Sequence, residues 1–214
     1  MNVRPPAVAG MFYPGHPGEL DRLLADCFQH ARHRAGLRPK ALIVPHAGYI
    51  YSGPVAASAY ALLEPLRDII TRVILLGPVH RVWVPGLALP GVEAFDTPLG
   101  RVPVNREAIA RIERLPQVSV SFAAHAQEHS LEVHLPFLQK VLADFSLVPL
   151  AVGDASPEQV AQVLDQVWGG EETLIVVSSD LSHFLPYLAA ERVDQATAKA
   201  ILGMDTHLVG EQAC

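Results

Sequence analysis

Four stretches of the chain are apolar with almost no polar alternation: KALIVP (40–45), RVILLGP (72–78), FSLVPLAVG (145–153) and TLIVVSS (173–179). Strands covered on both faces read this way, because neither face needs a polar side chain for water. Elsewhere the spacing is helical, in GPVAASAYALLEPL (53–66), NREAIARIERL (105–115), SPEQVAQVLDQVW (156–168) and a last stretch from Tyr187 to Leu202. Ser156 followed by Pro157 supplies a cap and a first-turn proline for the third of these. Strands alternating with helices predict an α/β fold, with a mostly parallel or mixed central sheet flanked by helices. The segment 81–104 is richer in Pro and Gly and more alternating, which predicts short hairpin or edge strands turning at TPLG. No linker, repeat or low-complexity tract interrupts the pattern, so a single domain over 1–214 is expected.

Composition narrows the functional classes. The chain has 214 residues, half of them apolar and 18% charged, enough to bury a sizeable core. Its formal charge of -6, with no run of Lys or Arg, argues against nucleic acid as a partner. Pro and Gly break up the first twenty residues where a signal peptide would need an apolar stretch, and no later run has the length of a membrane span. A soluble, cytoplasmic protein is expected. Cys27 and Cys214 are too few for a disulfide framework.

The chemistry sits just past the apolar runs. His46 follows the first, His80 the second, and Asp180 and His183 the fourth. In open α/β sheets, ligand and catalytic groups gather beyond the carboxyl ends of the strands. One such histidine alone reads as a hydrogen-bonded side chain, but His, His and Asp/His at three strand ends together point to a metal or acid/base site. His183 is the candidate general acid/base and Asp180 its orienter.

A second cluster lies in HAQEHSLEVH (125–134). Leu131, His134, Leu135, Leu138, Val141 and Leu142 share one helical face, so His134 reads as packed core. Pro136 requires that helix to begin close by, with Ser130 as its cap. That leaves His125, Glu128 and His129 in a loop ahead of it, free to face a site. The zinc-protease pattern H-E-x-x-H is absent, so this loop reads as a source of acid/base or supporting groups more than of primary ligands. Tyr49 and Tyr51 follow the His46 loop and either line a pocket or pack. Cys27 reads as a buried small hydrophobe, His30 and His33 as residues of a helix end, and His16 and His207 join no constellation.

Five motifs in order, RPPAVAGMFYP, VPHAGYIYSGPVAASAY, FDTPLGRVPVN, EHSLEVHLPFLQ and SSDLSHF, resemble the Memo family, known in prokaryotes as AmmeMemoRadiSam system protein B. The resemblance implies a fold similar to the class III extradiol dioxygenases, which use non-haem iron, with a metal-capable pocket at one sheet edge. It implies His46, His80 and Cys214 as metal ligands, and it matches Asp180, His183 and His129 to further site positions. Val79 departs from the small polar residue common in the family at that place. Family members also continue past the matching cysteine, which suggests a truncated chain. Two imidazoles and a thiolate suit iron or copper, with zinc an alternative. Three functions follow: an iron or copper redox protein, a module binding a peptide or partner protein in the same pocket without turnover, and a zinc hydrolase with Asp180 or His183 as base; the ligand is an unknown small molecule or peptide. The prokaryotic family name further implies association with a radical SAM protein and an AMMECR1-like protein.

Overall fold

A computed structural model describes residues 2–32 and 36–205. The chain divides into two compact units, Met1–Ser178 and Ser179–Cys214. In the first unit the strands are β1 (Val3–Arg4), β2 (Ala41–Val44), β3 (Arg72–Pro78), β4 (Leu87–Leu89), β5 (Ala94–Thr97), β6 (Gly100–Pro103), β7 (Val118–Val120), β8 (Ser146–Val152) and β9 (Thr173–Ser178). Its helices are α1 (Pro17–Gln29), α2 (Tyr49–Tyr60), α3 (Arg106–Ile112), α4 (Phe122–Ala126), α5 (Leu135–Val141) and α6 (Pro157–Val167). The second unit carries α7 (Tyr187–Leu202).

The four apolar runs become four neighbouring parallel strands. The main sheet has the order β2-β9-β3-β8-β4-β7; β2, β9, β3 and β8 run parallel, and β4 enters antiparallel to β8 while pairing parallel with β7. The sheet is therefore mixed, in the α/β arrangement the sequence predicts. Alternation along each strand divides the core in two. Val73, Leu75, Leu147, Leu174 and Val176 belong to one cluster with residues of α1, α2 and α5, whereas Ile74, Leu76, Val148, Leu150 and Ile175 join Ala108, Ile112, Val163 and Val167 of α3 and α6. Each such side chain, taken fully from water, contributes about 1.5–3 kcal/mol.

The 81–104 segment splits between two sheets. β4 joins the main sheet, and β5 and β6 form the hairpin at TPLG, with β1 parallel to β5 on its other side. Gly100 closes the hairpin at φ +121, a backbone conformation that side chains disfavour.

Helix boundaries differ from the pattern where proline intervenes. α2 starts at Tyr49 and contains Pro54, and Ala61–Leu66 winds on as a 3-10 helix around Pro65. Pro54 has no N–H for the carbonyl of Ile50, and Ile50 lies on the exposed face of the helix where water can serve it. α5 begins only at Leu135, after a 3-10 turn over Glu132–His134, which keeps Pro136 in the first turn. Ser130 is not its cap. By contrast α6 has the expected start, with Ser156 and Gln159 forming a reciprocal capping box. His16 caps α1 by accepting from Gly18 N, and His30 lies at its other end with Nδ1 2.8 Å from the Asp26 carbonyl. Cys27 is buried, and burial raises its thiol pKa. His33 and His207 lie outside the described residues. Among the described residues no helix is long and apolar enough to cross a membrane.

Candidate metal centre

His46 lies two residues past the end of β2, and His80 two residues past the end of β3. The third group arrives from the loop between α4 and the 3-10 turn, which carries Glu128, His129 and Ser130. One ligand nitrogen from each of His46, His80 and His129 can be chosen so that all three lie within 4.8 Å of one another, a group able to hold a metal ion. The His80 and His129 rings stack at 4.4 Å, and the His46 ring stands nearly upright to both, at 5.3 and 5.5 Å.

Hydrogen bonds assign the proton on two of these rings. Ser178 Oγ is 2.8 Å from the Ser130 carbonyl, which can only accept, so the serine spends its one hydrogen there. His46 Nδ1, 2.6 Å from the same Oγ, must then be the donor. His80 Nδ1 is 2.8 Å from Glu128 Oε1. Burial works against ionising Glu128, but the bonds from His80 Nδ1, Ser130 N and His80 N outweigh it and hold its pKa at about 2. An ionised carboxylate accepts, so His80 Nδ1 donates as well. In their neutral forms both rings therefore carry the lone pair on Nε2, as a metal ligand requires. His129 Nδ1 lies 3.4 Å from the same Glu128 oxygen, and its ring packs on Phe12 at 4.8 Å.

The loop is fastened from behind by the N-terminal segment. Arg4, fully buried, donates from Nε to the His125 carbonyl and from Nη2 to the Glu128 carbonyl, both at 2.7 Å. Its Nη1 is 2.6 Å from Glu132 Oε2. Glu132 also accepts from Ala7 N, Val8 N and the Tyr13 hydroxyl. Ser130 donates from Oγ to the Pro78 carbonyl at 2.8 Å, across a close approach to Gly77. A Cβ at Gly77 would stand 2.7 Å from Ser130 Oγ and 2.9 Å from Leu131 Cδ2. Gly77→Ala is accordingly expected to cost about 1–3 kcal/mol through overpacking. Urea unfolding checks this, and an unchanged midpoint would show that the loop yields freely.

His125, near the end of α4, is buried with Nε2 2.8 Å from the Ala88 carbonyl and its ring against Phe95. Tyr49 is buried and donates to the Val133 carbonyl at 2.6 Å. Both serve packing. Tyr51 is exposed. His134 is core, as its helical face implies, with Nδ1 2.9 Å from the Tyr60 hydroxyl. Asp180 and His183 belong to the second unit, where His183 Nε2 is 3.7 Å from Asp180 Oδ2 and Nδ1 is 3.0 Å from the Leu181 carbonyl. Leu181 and Phe184 there adopt φ of 61 and 58, a strained backbone for residues with side chains. Cys214 lies outside the described residues. The third imidazole of the described cluster is His129, for which the sequence suggested an acid/base role. Ser178, Arg4 and Glu132 carry no signal of this role in the sequence, and Ser130 reads there only as a helix cap, although the motifs RPPAVAGMFYP, EHSLEVH and SSD contain them.

The Memo-like protein family matches the chain over residues 4–212. A MEMO1 family protein of Aquifex aeolicus is 38% identical over 210 residues, spanning 96% of this chain and 77% of that protein. Another from Thermotoga maritima is 36% identical over 231 residues, spanning 97% and 80%, and one from Methanocaldococcus jannaschii is 35% identical over 228 residues, spanning 95% and 77%. With its motifs in family order, its α/β fold and these matches along nearly its whole length, the chain belongs to the Memo family.

Proposed function

We propose that the protein is a non-haem redox protein in which His46, His80 and His129 hold iron or copper and leave coordination positions for oxygen or a reduced substrate. The observation that carries this reading is the convergence of the three imidazoles, two of them with Nδ1 committed to a hydrogen bond. Neutral imidazoles suit iron, copper and zinc alike. A bound iron or copper would supply a redox couple and an open coordination site. The chain supplies orientation: Ser178 and Glu128 hold two rings by their far nitrogens, and Phe12 packs on the third.

Glu128 accepts from His80 Nδ1 and fixes that ring, a role that serves iron, copper or zinc alike. Cys214, a ligand by family resemblance, enters the same proposal as a softer fourth donor that would further favour copper or iron over harder ions.

The test is elemental mass spectrometry of protein purified without oxygen or chelator, beside His46→Ala/His80→Ala and His129→Ala. Near-stoichiometric iron or copper is expected in the unaltered protein and little in either variant. Zinc alone would sink the redox reading, and metal retained in the double variant would sink the site.

A further inference from the structure

The geometry points to Ser178 as a positioning residue that sets the tautomer of His46. This rests on the proposal that these histidines bind a metal. Two sets of bonds meet at Ser130, one on its carbonyl and one on its N–H. His46 Nδ1 donates to Ser178 Oγ at 2.6 Å, and Ser178 donates to the Ser130 carbonyl at 2.8 Å. On the other side of Ser130, its N–H donates to Glu128 Oε1 at 2.9 Å, the oxygen that also accepts from His80 Nδ1 at 2.8 Å.

Two features make this more than incidental satisfaction of buried polar groups. First, Ser178 is the last residue of β9 and stands opposite Val44 of β2, so the strand register itself delivers its hydroxyl beside His46. Second, Ser130 is fully buried and fixed independently, by its hydroxyl on the Pro78 carbonyl and by its close fit to Gly77. The acceptor for Ser178 therefore cannot drift, and the serine hydrogen has a single direction.

Without the Ser178 hydroxyl, His46 Nδ1 loses its acceptor, and the ring is released to place its proton on Nε2, the nitrogen a metal would need. Loss of such outer partners typically weakens metal binding by about 10- to 100-fold. Glu128 orients His80, but its effect would mix orientation with charge. Ser178 isolates orientation, since the hydroxyl carries none.

The experiment uses the full chain labelled with 15N in its histidines. In metal-free unaltered protein, the His46 signals are expected to report a protonated Nδ1 and an unprotonated Nε2; a protonated Nε2 would overturn the inference without any variant. Co2+ is then titrated and followed by visible absorption in the unaltered protein, Ser178→Ala, Ser178→Thr and His46→Ala. Ser178→Ala is expected to bind about 10- to 100-fold more weakly and to lose the single His46 tautomer, with Ser178→Thr, which keeps the hydroxyl, restoring both. Unchanged affinity and tautomer in Ser178→Ala would overturn the inference while leaving the metal site standing. Equal Co2+ binding by His46→Ala would instead remove the metal reading, and the tautomer signals alone would then decide the role of Ser178.

Discussion

Arg4→Met is expected to destabilise the protein by about 3–5 kcal/mol, the scale on which removing one partner strands the other charge of a buried ion pair. Both side chains of the pair are essentially out of water, at 1% and 0% exposure, so no solvent screening softens the loss. Methionine keeps much of the arginine stem's bulk but none of its donors. The carbonyls of His125 and Glu128 lose their partners as well, and Glu132 keeps only Ala7 N, Val8 N and the Tyr13 hydroxyl. Arg4 also stacks 5.1 Å from the Phe95 ring centroid, a contact that methionine replaces only in part. Because the stranded loop carries Glu128 and His129, metal affinity should fall along with stability. Urea unfolding, with the midpoint and slope compared at neutral pH, measures the first effect. A loss below about 1 kcal/mol, the usual worth of an exposed pair, would mean that the clamp is not what holds the loop. Arg4→Met/Glu132→Leu should recover only part of the loss, since Tyr13 and two backbone N–H groups would still lack their acceptor.

That clamp also marks where reading the sequence stops working. The strands β2, β3, β8 and β9 were legible because continuous apolar runs have few other solutions, and His46 and His80 followed from their place beyond the strand ends. Nothing in periodicity says that Arg4 and Glu132, 128 positions apart, meet in the core. A charged residue in an N-terminal segment reads as solvated until its partner is known. His129 failed differently: the H-E-x-x-H template concerns ligands on one helix, and this cluster takes its histidines from two strand ends and a loop. The serines were hidden for a third reason. Ser130 looks like a helix cap by position, and only the register that brings β3 beside the loop shows its hydroxyl spent on Pro78. Pro136, in contrast, was informative from the start, and the structure places it in the first turn for the reason its chemistry gives.

Acid should begin to destabilise this protein before most of its carboxylates titrate, because His125 and His134 are buried as neutral rings. Burial pushes His125 down to about 4; the Ala88 carbonyl and Glu128 favour its charged form, but the neighbouring Arg4 guanidinium adds to the opposition. Burial also dominates at His134, with His46 nearby adding to it, and lowers that ring to about 3. His125 Nδ1, the atom a second proton would occupy, has no hydrogen-bond partner, and at His134 the Ser130 backbone favours the charged form without offsetting burial. An unfolded histidine titrates near 6.5, so between that pH and about 4 the unfolded chain binds protons that the folded one refuses. Stability is then fully present above about 6.5 and falls as pH drops, by about 1.4 kcal/mol per pH unit for each ring. Integrated to the folded values, the penalty is on the order of 3 kcal/mol for His125 and 5 kcal/mol for His134, comparable with the roughly 5–15 kcal/mol that holds a domain together. Urea midpoints measured from about pH 8 to 4.5 should be level at first and then decline steeply below about 6.5. Substituting His134→Phe should lower stability at neutral pH, through the lost Tyr60 partner, yet flatten the acid limb to about half its slope. A limb that keeps its full slope in that variant, or a profile level down to pH 4.5 in the unaltered protein, would show that neither buried ring governs acid unfolding.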